Sequence, residues 1–396
     1  MGSRTLGDLC IKIGSGATPK GGKEAYKETG IPIIRSQNVH DWSFSSSGLA
    51  FIDDNQASAL ANVEVKAHDI LLNITGDSVA RACMVPDWCI PARVNQHVAI
   101  IRPRKQVNST FLLCYLQSIK PKLLKLASSG ATRNALTKGM IESLEIELPP
   151  IEEQCAIASL IDSIQRKLLL NQQTNDYLAE LLDTQFDNLI ANESSDWEPA
   201  SLLGIASYKN GLAMQRFRPV GDDPGLPVLK IRELGQGYCG SDAERCRRDI
   251  DEAVTIHDGD LVFSWSGTLL LDFWAGGDAG LNQHLFKVTS DAYPSWFYYM
   301  WTKQHMRRFI ALAKDRATTM GHIKRSALQE SKVLIPPSDV MVELTAEMQP
   351  IVDEIIELKV QSRKLGELRD ALLPRLMSGE IDVSDVELPT QPNNHL

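Results

Sequence analysis

The chain contains little that would place it in a membrane or in an oxidising compartment. None of its apolar runs reaches the roughly 18 residues that a membrane span needs, and its first residues lack the apolar core of a signal peptide. It has seven cysteines, an odd number, and no Cys-x-x-Cys pair. The sequence therefore predicts a cytoplasmic protein with reduced thiols, no membrane association and no metal ion of its own.

The chain also lacks the motifs by which enzymes bind nucleotides or act on DNA. Its glycine-rich stretch KIGSGATPKGGKEAY (12–26) is close to a P-loop, but Lys23 arrives one position late and Glu24 replaces the hydroxyl residue that would hold magnesium. Pro19 stands where a dinucleotide-binding loop needs its third glycine. The Pro-Pro pairs in LPPI and IPPS lack the flanking residues of a DNA amino-methyltransferase motif. We predict that the chain is not an enzyme and binds no cofactor.

The formal net charge of −9 is unevenly distributed along the chain. Counting Lys and Arg against Asp and Glu gives net charges of +4 for residues 1–150, −7 for 151–197, +1 for 198–337 and −7 for 338–396. Because like charges repel, only the two segments without an acidic excess can face the phosphates of a nucleic acid. The alternation of the four segments suggests an internal repeat.

Four pairs of sequence blocks confirm that the chain repeats itself. GIPIIRSQNV (30–39) corresponds to GLPVLKIREL (225–234), HDILLNITGD (68–77) to GDLVFSWSGT (259–268), NQHVAI (95–100) to NQHLFK (282–287), and LEIELPP (144–150) to SKVLIPP (331–337). The offset drifts from 195 to 187 residues, which indicates loops of different length on a shared scaffold. Short β-rich runs bounded by Gly, Asp and Asn, with STFLLCYLQSIKPKLLKLA and PSWFYYMWTKQHMRRFIALA as one helix per half, predict mixed α and β structure.

The two acidic segments have the periodicity of long helices. Apolar positions recur in alternating steps of four and three, in the same register in both halves, as in a coiled-coil seam. The seam residues that we predict to be buried are Ile157, Ile161, Ile164, Leu168, Leu178 and Leu182 in the first helix, and Leu344, Ile351, Ile355, Leu358, Leu365 and Leu372 in the second. A narrow seam favours pairing with one other helix, although a helical core within one domain remains the alternative. We expect Pro350 to kink the second helix and Pro374 to end its regular part.

These observations together predict an α+β fold with a pseudo-two-fold repeat. The predicted domains are a first recognition domain at 1–150, a central long helix at 151–197, a second recognition domain at 198–337, a C-terminal long helix at 338–383 and a tail at 384–396. The two helices are expected to form an antiparallel coiled coil that separates the two similar mixed domains. The layout has two related modules with different loops, joined by a helical spacer. Such a layout is suited to reading two separated DNA half-sites.

The order of these blocks resembles the specificity subunit of type I restriction–modification systems over nearly the whole chain. The resemblance is carried by TLGDLCIKIGSGATPKGG, GIPIIRSQNV, DILLNITGD, NQHVAII, SSGATRNALTKGMIESLEIELPPIEEQ and ELRDALLPRLMSGEI, several of which have an echo in the other half. The second half departs from the pattern, since SYKNGLAMQRFRP replaces the glycine-rich opening.

The resemblance implies a DNA-recognition subunit whose two domains each read half of a bipartite double-stranded site. It also implies that the helices dock two modification (methyltransferase) subunits and set the spacer, while restriction or motor subunits join the complex. S-adenosylmethionine, ATP and Mg would then belong to the partner subunits. A stand-alone methyltransferase or nuclease with a divergent site, and an antirestriction decoy that binds the modification subunits without DNA, remain alternatives.

Basic and amide side chains in the loops are the candidate DNA contacts, because Arg and Asn can read bases and Lys can bind phosphate. The candidates are Lys20, Lys23, Arg35, Arg133, Asn134 and Lys138 in the first half, and Arg216, Arg218, Lys230, Arg316 and Lys324 in the second. A solvated loop, a helix-capping loop or a surface ion pair is the alternative role for these residues. Gly14 and Gly16 are expected to allow tight turns. The identical Asn-Gln-His triplets at 95–97 and 282–284 are expected to brace loops within the scaffold.

Overall fold

The computed structural model of the chain describes residues 3–128, 134–192, 196–314 and 323–383. The chain forms two compact units, Met1–Arg166 with Leu368–Leu396, and Lys167–Glu367. The predicted tail at 384–396 lies outside the described residues. None of the helices in the described ranges is long and apolar enough to cross a membrane.

The described residues of the first half form ten strands and five short α-helices before the first long helix. In chain order they are β1 (Ser3–Thr5), α1 (Leu6–Leu9), β2 (Cys10–Ser15), β3 (Ile31–Ile34), β4 (Ala50–Ile52), α2 (Asp54–Ala59), β5 (Glu64–Val65), β6 (Ile70–Asn73), β7 (Ala82–Met84), β8 (Ala92–Val94), β9 (Val98–Pro103), α3 (Ser109–Ser118), α4 (Lys120–Ser128), α5 (Lys138–Glu142), β10 (Glu145–Glu147) and α6 (Ile151–Ala191).

Eight of the strands of this unit form two four-stranded sheets. The first has the strand order β2-β9-β6-β7 and is antiparallel throughout. The second has the order β4-β3-β8-β5, with β3 and β8 parallel. In β6, Ile70 and Leu72 face the cluster that contains the helices, whereas Leu71 faces the cluster shared with the second sheet. Burial on both faces explains why this strand is an unbroken apolar run.

The second half repeats the strands of the first in the same order, with differences in the short helices. Its elements are β11 (Glu198–Ser201), α7 (Leu202–Ile205), β12 (Ser207–Asn210), β13 (Leu226–Leu229), α8 (Ile231–Gln236), β14 (Arg245–Cys246), β15 (Thr255–Ile256), β16 (Leu261–Ser264), β17 (Leu271–Phe273), β18 (Ala279–Leu281), β19 (Leu285–Thr289), α9 (Ser295–Lys314), α10 (Arg325–Gln329), β20 (Lys332–Ile335) and α11 (Ser338–Met377). The sheets β12-β19-β16-β17 and β14-β13-β18-β15 have the same order as those of the first unit. The predicted α+β repeat is confirmed.

The long helices α6 and α11 pack against each other and against the sheet-rich cores. In the second unit, the Asn171 side chain donates hydrogen bonds to Gln361 (2.9 Å) and Ser362 (3.1 Å). Further along α6, Leu182 packs in the cluster that contains Met348 of α11. Later residues of α6 thus meet earlier residues of α11, so the pair is antiparallel. The predicted seam positions are all buried or half-buried.

Two expectations about helix ends were wrong, whereas the kink expected at Pro350 stays a prediction. Helix α11 runs without interruption through Pro350 and Pro374 to Met377. Buried residues on both sides of each proline, such as Met348 and Leu376, anchor the helix and offset the roughly 3 kcal/mol that an internal proline costs. The single helix expected over STFLLCYLQSIKPKLLKLA is divided at Ile119 into α3 and α4. Pro121 lacks the N–H that a continuous helix would need there.

Candidate nucleic-acid interface

The turn that connects β8 to β9 holds several loops of the first unit together. Asn95 accepts a hydrogen bond from the backbone N–H of His97 (3.0 Å) and donates its own N–H to the Ile34 carbonyl (3.0 Å). The His97 Nδ1 atom lies 2.6 Å from the Thr75 hydroxyl. The side chains of Gln96 and Thr18 are also hydrogen-bonded, which ties the glycine-rich loop to this turn. These contacts give the Asn-Gln-His triplet a bracing role within the scaffold.

The glycine-rich loop is fixed by close packing of its backbone. Gly16 donates to the Val98 carbonyl (2.9 Å), and a Cβ atom at Gly16 would lie 1.9 Å from the Val94 carbonyl oxygen. The expected reason for Gly16, a tight turn, is therefore wrong: the residue is small because another backbone passes beside it. Gly14 lies inside β2 with nothing near its absent Cβ. The positive φ angles are found later in the loop, at Gly21 (109°) and Gly22 (60°).

The candidate cations of this unit are not equivalent. Lys20 and Lys23 are exposed and form no ion pair with any described residue. Arg35 is half-buried and donates to the Gly48 carbonyl (2.6 Å), so it braces a neighbouring loop. Lys138 is exposed but lies 3.4 Å from Glu142. The two lysines of the glycine-rich loop are therefore the most available partners for phosphate.

The loop before α5 lies beside the hairpin that connects β6 and β7. The Asn134 carbonyl accepts from the Gly76 N–H (3.2 Å), and Leu136 donates to the Ile74 carbonyl (2.8 Å). The Asn134 side chain is exposed. Thr137 caps α5, so this loop also has the helix-capping role that the sequence left open. The candidate Arg133 lies outside the described residues.

The second unit repeats this arrangement of loops. Gly211 donates to the Leu285 carbonyl (3.0 Å), and a Cβ atom there would lie 2.3 Å from the Asn282 carbonyl oxygen. The Asn282 side chain accepts from the His284 N–H (3.3 Å), and the His284 Nδ1 atom lies 3.1 Å from the Ser266 hydroxyl. The two triplets therefore have the same structural role in both units.

The candidate cations of the second unit differ in their surroundings. Arg216 and Arg218 are exposed on either side of Phe217, over whose ring the Arg247 guanidinium lies at 5.4 Å. Lys230 is paired with Glu244 at 2.7 Å, which is the ion-pair role left open for it.

The remaining pair of candidates lies near α10. Lys324 is exposed at the start of α10 and follows Ile323, which donates to the Trp265 carbonyl (2.9 Å). Arg316 lies outside the part of the chain that the structure describes.

A polar groove in the first unit was not predicted from the sequence. It is lined by Ser36, Gln37, Thr75, Gly76, Asp77, Ser78, Arg81 and His97. A signal was present, because the stretch TGDSVAR between two apolar strands has the composition of a polar hairpin loop. What the sequence could not show is that Ser36 and Gln37, about 40 positions earlier, line the same groove.

The titratable groups offer little chemistry of their own. Burial raises the pKa of the Cys10, Cys83 and Cys114 thiols to about 12, so these thiols stay protonated and unreactive. A hydrogen bond to Asp278, assisted by Glu252, raises the pKa of His257 above its usual value. Within the described ranges, no cluster of His, Cys, Asp and Glu side chains could hold a metal ion.

Comparison with known proteins identifies consistent relatives. Residues 1–180 match the family model described as type I restriction modification DNA specificity domain. The chain is 36% identical over 416 residues to a Methanocaldococcus jannaschii protein provisionally assigned as the type I restriction enzyme MjaX specificity subunit. This alignment covers 96% of this chain and 93% of that protein. It is 25% identical over 329 residues to the type I restriction enzyme MjaIX specificity subunit of the same organism, over 75% of this chain and 74% of the relative.

A solved structure shares the fold. The crystal structure of a type I restriction–modification system S subunit from M. genitalium superposes with a TM-score of 0.59 at 14% identity. The superposition covers 95% of this chain and 96% of that chain.

Proposed function

The chain belongs to the family of type I restriction enzyme specificity subunits, and on that premise we propose that each of its two sheet-rich units reads one half of a bipartite double-stranded DNA site. Members of this family are non-catalytic subunits of restriction–modification complexes, in which they bind DNA and other subunits. The family assignment removes the stand-alone enzyme from the alternatives. We place its action in the cytoplasm, as part of the same proposal.

The observation that carries the proposal is the repetition of one scaffold with different loops. Both units have the same two sheets in the same strand order, and both brace their loops around the same Asn-Gln-His triplet. The side chains on those loops differ, with Lys20 and Lys23 in one unit and Arg216 and Arg218 in the other. A shared scaffold with different loops supports independent readers of two different sequences.

The long helices carry the contacts with the rest of the complex in this proposal. We place two modification subunits against α6 and α11, with restriction or motor subunits joining through them. S-adenosylmethionine, ATP and Mg are bound by those partner subunits. Helix length then sets the number of base pairs between the half-sites, since an α-helix rises about 1.5 Å per residue.

Exchange of one module tests the proposal. Residues 1–150 are replaced by the equivalent segment of another family member, and the complete system is expressed in a host whose methylated sequences are then read. We expect one half of the methylated motif to change and the other half to stay. A motif that changes in both halves, or a wild-type system that methylates no bipartite sequence, would contradict the proposal.

The isolated chain provides a second test, which addresses the absence of catalysis. Titration calorimetry with S-adenosylmethionine is expected to show no binding, and incubation with DNA no methylation or cleavage. Binding of the methyl donor by the pure chain would show that a divergent enzyme site exists.

A further inference from the structure

The polar groove of the first unit has the chemistry of a site that reads base edges. Within a single groove it collects the hydroxyl groups of Ser36, Thr75 and Ser78, the Gln37 amide and the Arg81 guanidinium, together with the Asp77 carboxylate. Hydroxyl, amide and guanidinium groups are those that distinguish bases in the major groove. A carboxylate repels phosphate but can accept from the amino group of cytosine, so Asp77 favours base contact over backbone contact.

The walls of the groove are held in place by hydrogen bonds. The hairpin is closed by bonds from the Ala80 N–H to the Asn73 carbonyl (2.9 Å) and from the Asn73 N–H to the Arg81 carbonyl (2.8 Å). The fully buried Asn73 side chain donates to the carbonyls of Ser36 (2.9 Å) and Val39 (3.2 Å), which joins the two walls. Such bracing fixes the donors before DNA arrives, and this lowers the entropic cost of specific binding.

The backbone at the base of the hairpin is strained. Ala80 has φ of +67°, a conformation that residues other than glycine seldom adopt. Strain of this kind persists where surrounding contacts enforce it, and it concentrates at functional sites. In this hairpin the strained residue, Ala80, immediately precedes Arg81.

The Arg81 side chain is available for a ligand. It is half-buried, and within the described ranges it forms neither an ion pair nor a side-chain hydrogen bond. Other arginines of the unit are engaged: Arg102 is bonded to Asp69 (2.7 Å), and Arg93 lies 3.3 Å from Glu64. Asp77 lines the same groove as Arg81 but is not paired with it.

The equivalent place in the second unit has a different character. The hairpin between β16 and β17 is two residues shorter and carries no charged side chain. Leu269 and Leu270 on this hairpin pack against the two apolar cores. Ile231 occupies the position that corresponds to Ser36, and its side chain approaches Gly267 of the hairpin. The groove is therefore a property of the first module and not of the common scaffold.

We propose that this groove is the base-reading site of the first recognition module, with Arg81 hydrogen-bonded to a guanine in one half-site. The inference rests on the proposed function and names the residues through which one unit performs it. The Arg81 fork matches the two acceptors of guanine, whereas the Gln37 amide nitrogen already donates to the Gly48 carbonyl (3.1 Å) and helps to fix the wall of the groove.

The test uses the complete complex of this chain with its modification subunits. The wild type is compared with Arg81→Ala, Arg81→Lys and the control Lys122→Ala, which removes an exposed cation from α4 of the same unit. Two quantities are measured: the methylated motif, and binding to a set of duplexes with every single-base change, at several salt concentrations. The wild-type motif identifies the position at which a guanine is required.

We expect Arg81→Ala to lower discrimination at one guanine of one half-site by about 5- to 150-fold, as loss of a bidentate base contact does. Arg81→Lys should also relax this position, because lysine keeps the charge but lacks the fork. Base discrimination at the other half-site and the salt dependence of binding should be the same as for the wild type and for Lys122→Ala.

Three results would overturn the inference. Uniform weakening on all duplexes, with a shallower salt dependence, would make Arg81 a phosphate contact. Unchanged discrimination in both Arg81 variants would remove it from the interface, and altered preference in both half-sites would show a general structural defect. If the wild-type complex methylates a bipartite motif and the Arg81 variants methylate the same motif, this inference is refuted but the proposed function is not.

Discussion

At the scale of single residues, the loops of this protein depend on backbones that pass very close to each other. Gly16 and Gly211 occupy the same place in the two units. Neither has room for a Cβ atom, because the backbone of the turn that contains the Asn-Gln-His triplet passes beside it. Gly14, two residues before Gly16, has open space around its Cβ position. The two glycines of one motif thus allow a matched comparison.

Gly16→Ala should destabilise the protein by about 1–3 kcal/mol, because the new methyl group forces apart the glycine-rich loop and the Asn95 turn. The free energy of unfolding, measured with urea, and the affinity for cognate DNA are both expected to fall. Gly14→Ala should change the stability by less than about 1 kcal/mol. Equal effects of the two substitutions would show that close approach is not the reason for Gly16.

His257 gives the second unit a small pH dependence of stability. Its ring nitrogens lie 2.8 Å from Asp278 and 2.9 Å from Glu252, and the bond to Asp278 is the main cause of its raised pKa. A pKa raised in the folded state stabilises the protein below the unfolded value of about 6.5, and this contribution disappears as the pH rises through the folded value.

We expect His257→Gln to lower the melting temperature at pH 5.5 and to leave it nearly unchanged at pH 8.5. The effect should stay within about 1 kcal/mol, because the side chain is partly exposed and its ion pairs are screened. His305→Gln is a suitable control, since burial lowers the pKa of that histidine. A larger loss at pH 8.5 than at pH 5.5 would contradict the role given to Asp278 and Glu252.

At the scale of secondary-structure elements, the helix pair combines an apolar seam with a polar layer. Asn171 lies at a seam position and is 1% exposed. Its amide group donates to Gln361 and Ser362 of the opposite helix. A buried amide at one seam position favours a single register, because any shift would leave it without partners.

Asn171→Ala should lower the free energy of unfolding by about 1–3 kcal/mol, since it removes two hydrogen bonds between the helices and leaves the half-buried Gln361 without this partner. Gln172→Ala is the matched control: this neighbour is exposed, and among the described residues its side chain bonds only to Asp176 of its own helix. We expect the control to change stability by less than about 0.5 kcal/mol. Urea unfolding followed by circular dichroism measures both, and equal midpoints would exclude an energetic role for the polar layer.

At the scale of the whole molecule, the proposed function makes helix length the quantity that sets the spacing of the half-sites. Seven residues inserted between Gln172 and Gln173, matched by seven between Val360 and Gln361, lengthen both helices and preserve the three–four spacing of the seam. The matched positions follow from the contact between Asn171 and Gln361. The added rise is about 10.5 Å, close to three base pairs of DNA.

We expect the doubly inserted chain to methylate the same two half-sites with a spacer about three base pairs longer, and with lower affinity. The affinity falls because three base pairs also rotate the duplex by roughly 100°. Insertion in α6 alone is the control and should uncouple the helices. An active double-insertion variant that retains the original spacer would show that helix length does not determine the distance.

The sequence by itself determined the architecture of this protein. Repeated blocks such as NQHVAI and NQHLFK predicted two copies of one fold, and the period of the acidic segments predicted two long helices. These features can be predicted because they depend on patterns within short windows of the chain, such as alternation, heptad spacing and turn residues. Pro374 was misread as a helix end because packing on both sides outweighs a local preference.

Only the tertiary structure decided which loop residues form a site. Arg81 and Gln37 lie 44 positions apart and share a groove because the Asn73 side chain joins their loops. Lys230 matched Arg35 in sequence but is paired with Glu244, whereas Arg35 braces Gly48. Whether a cation is free or engaged depends on neighbours that are distant in the chain, and no local pattern carries that information.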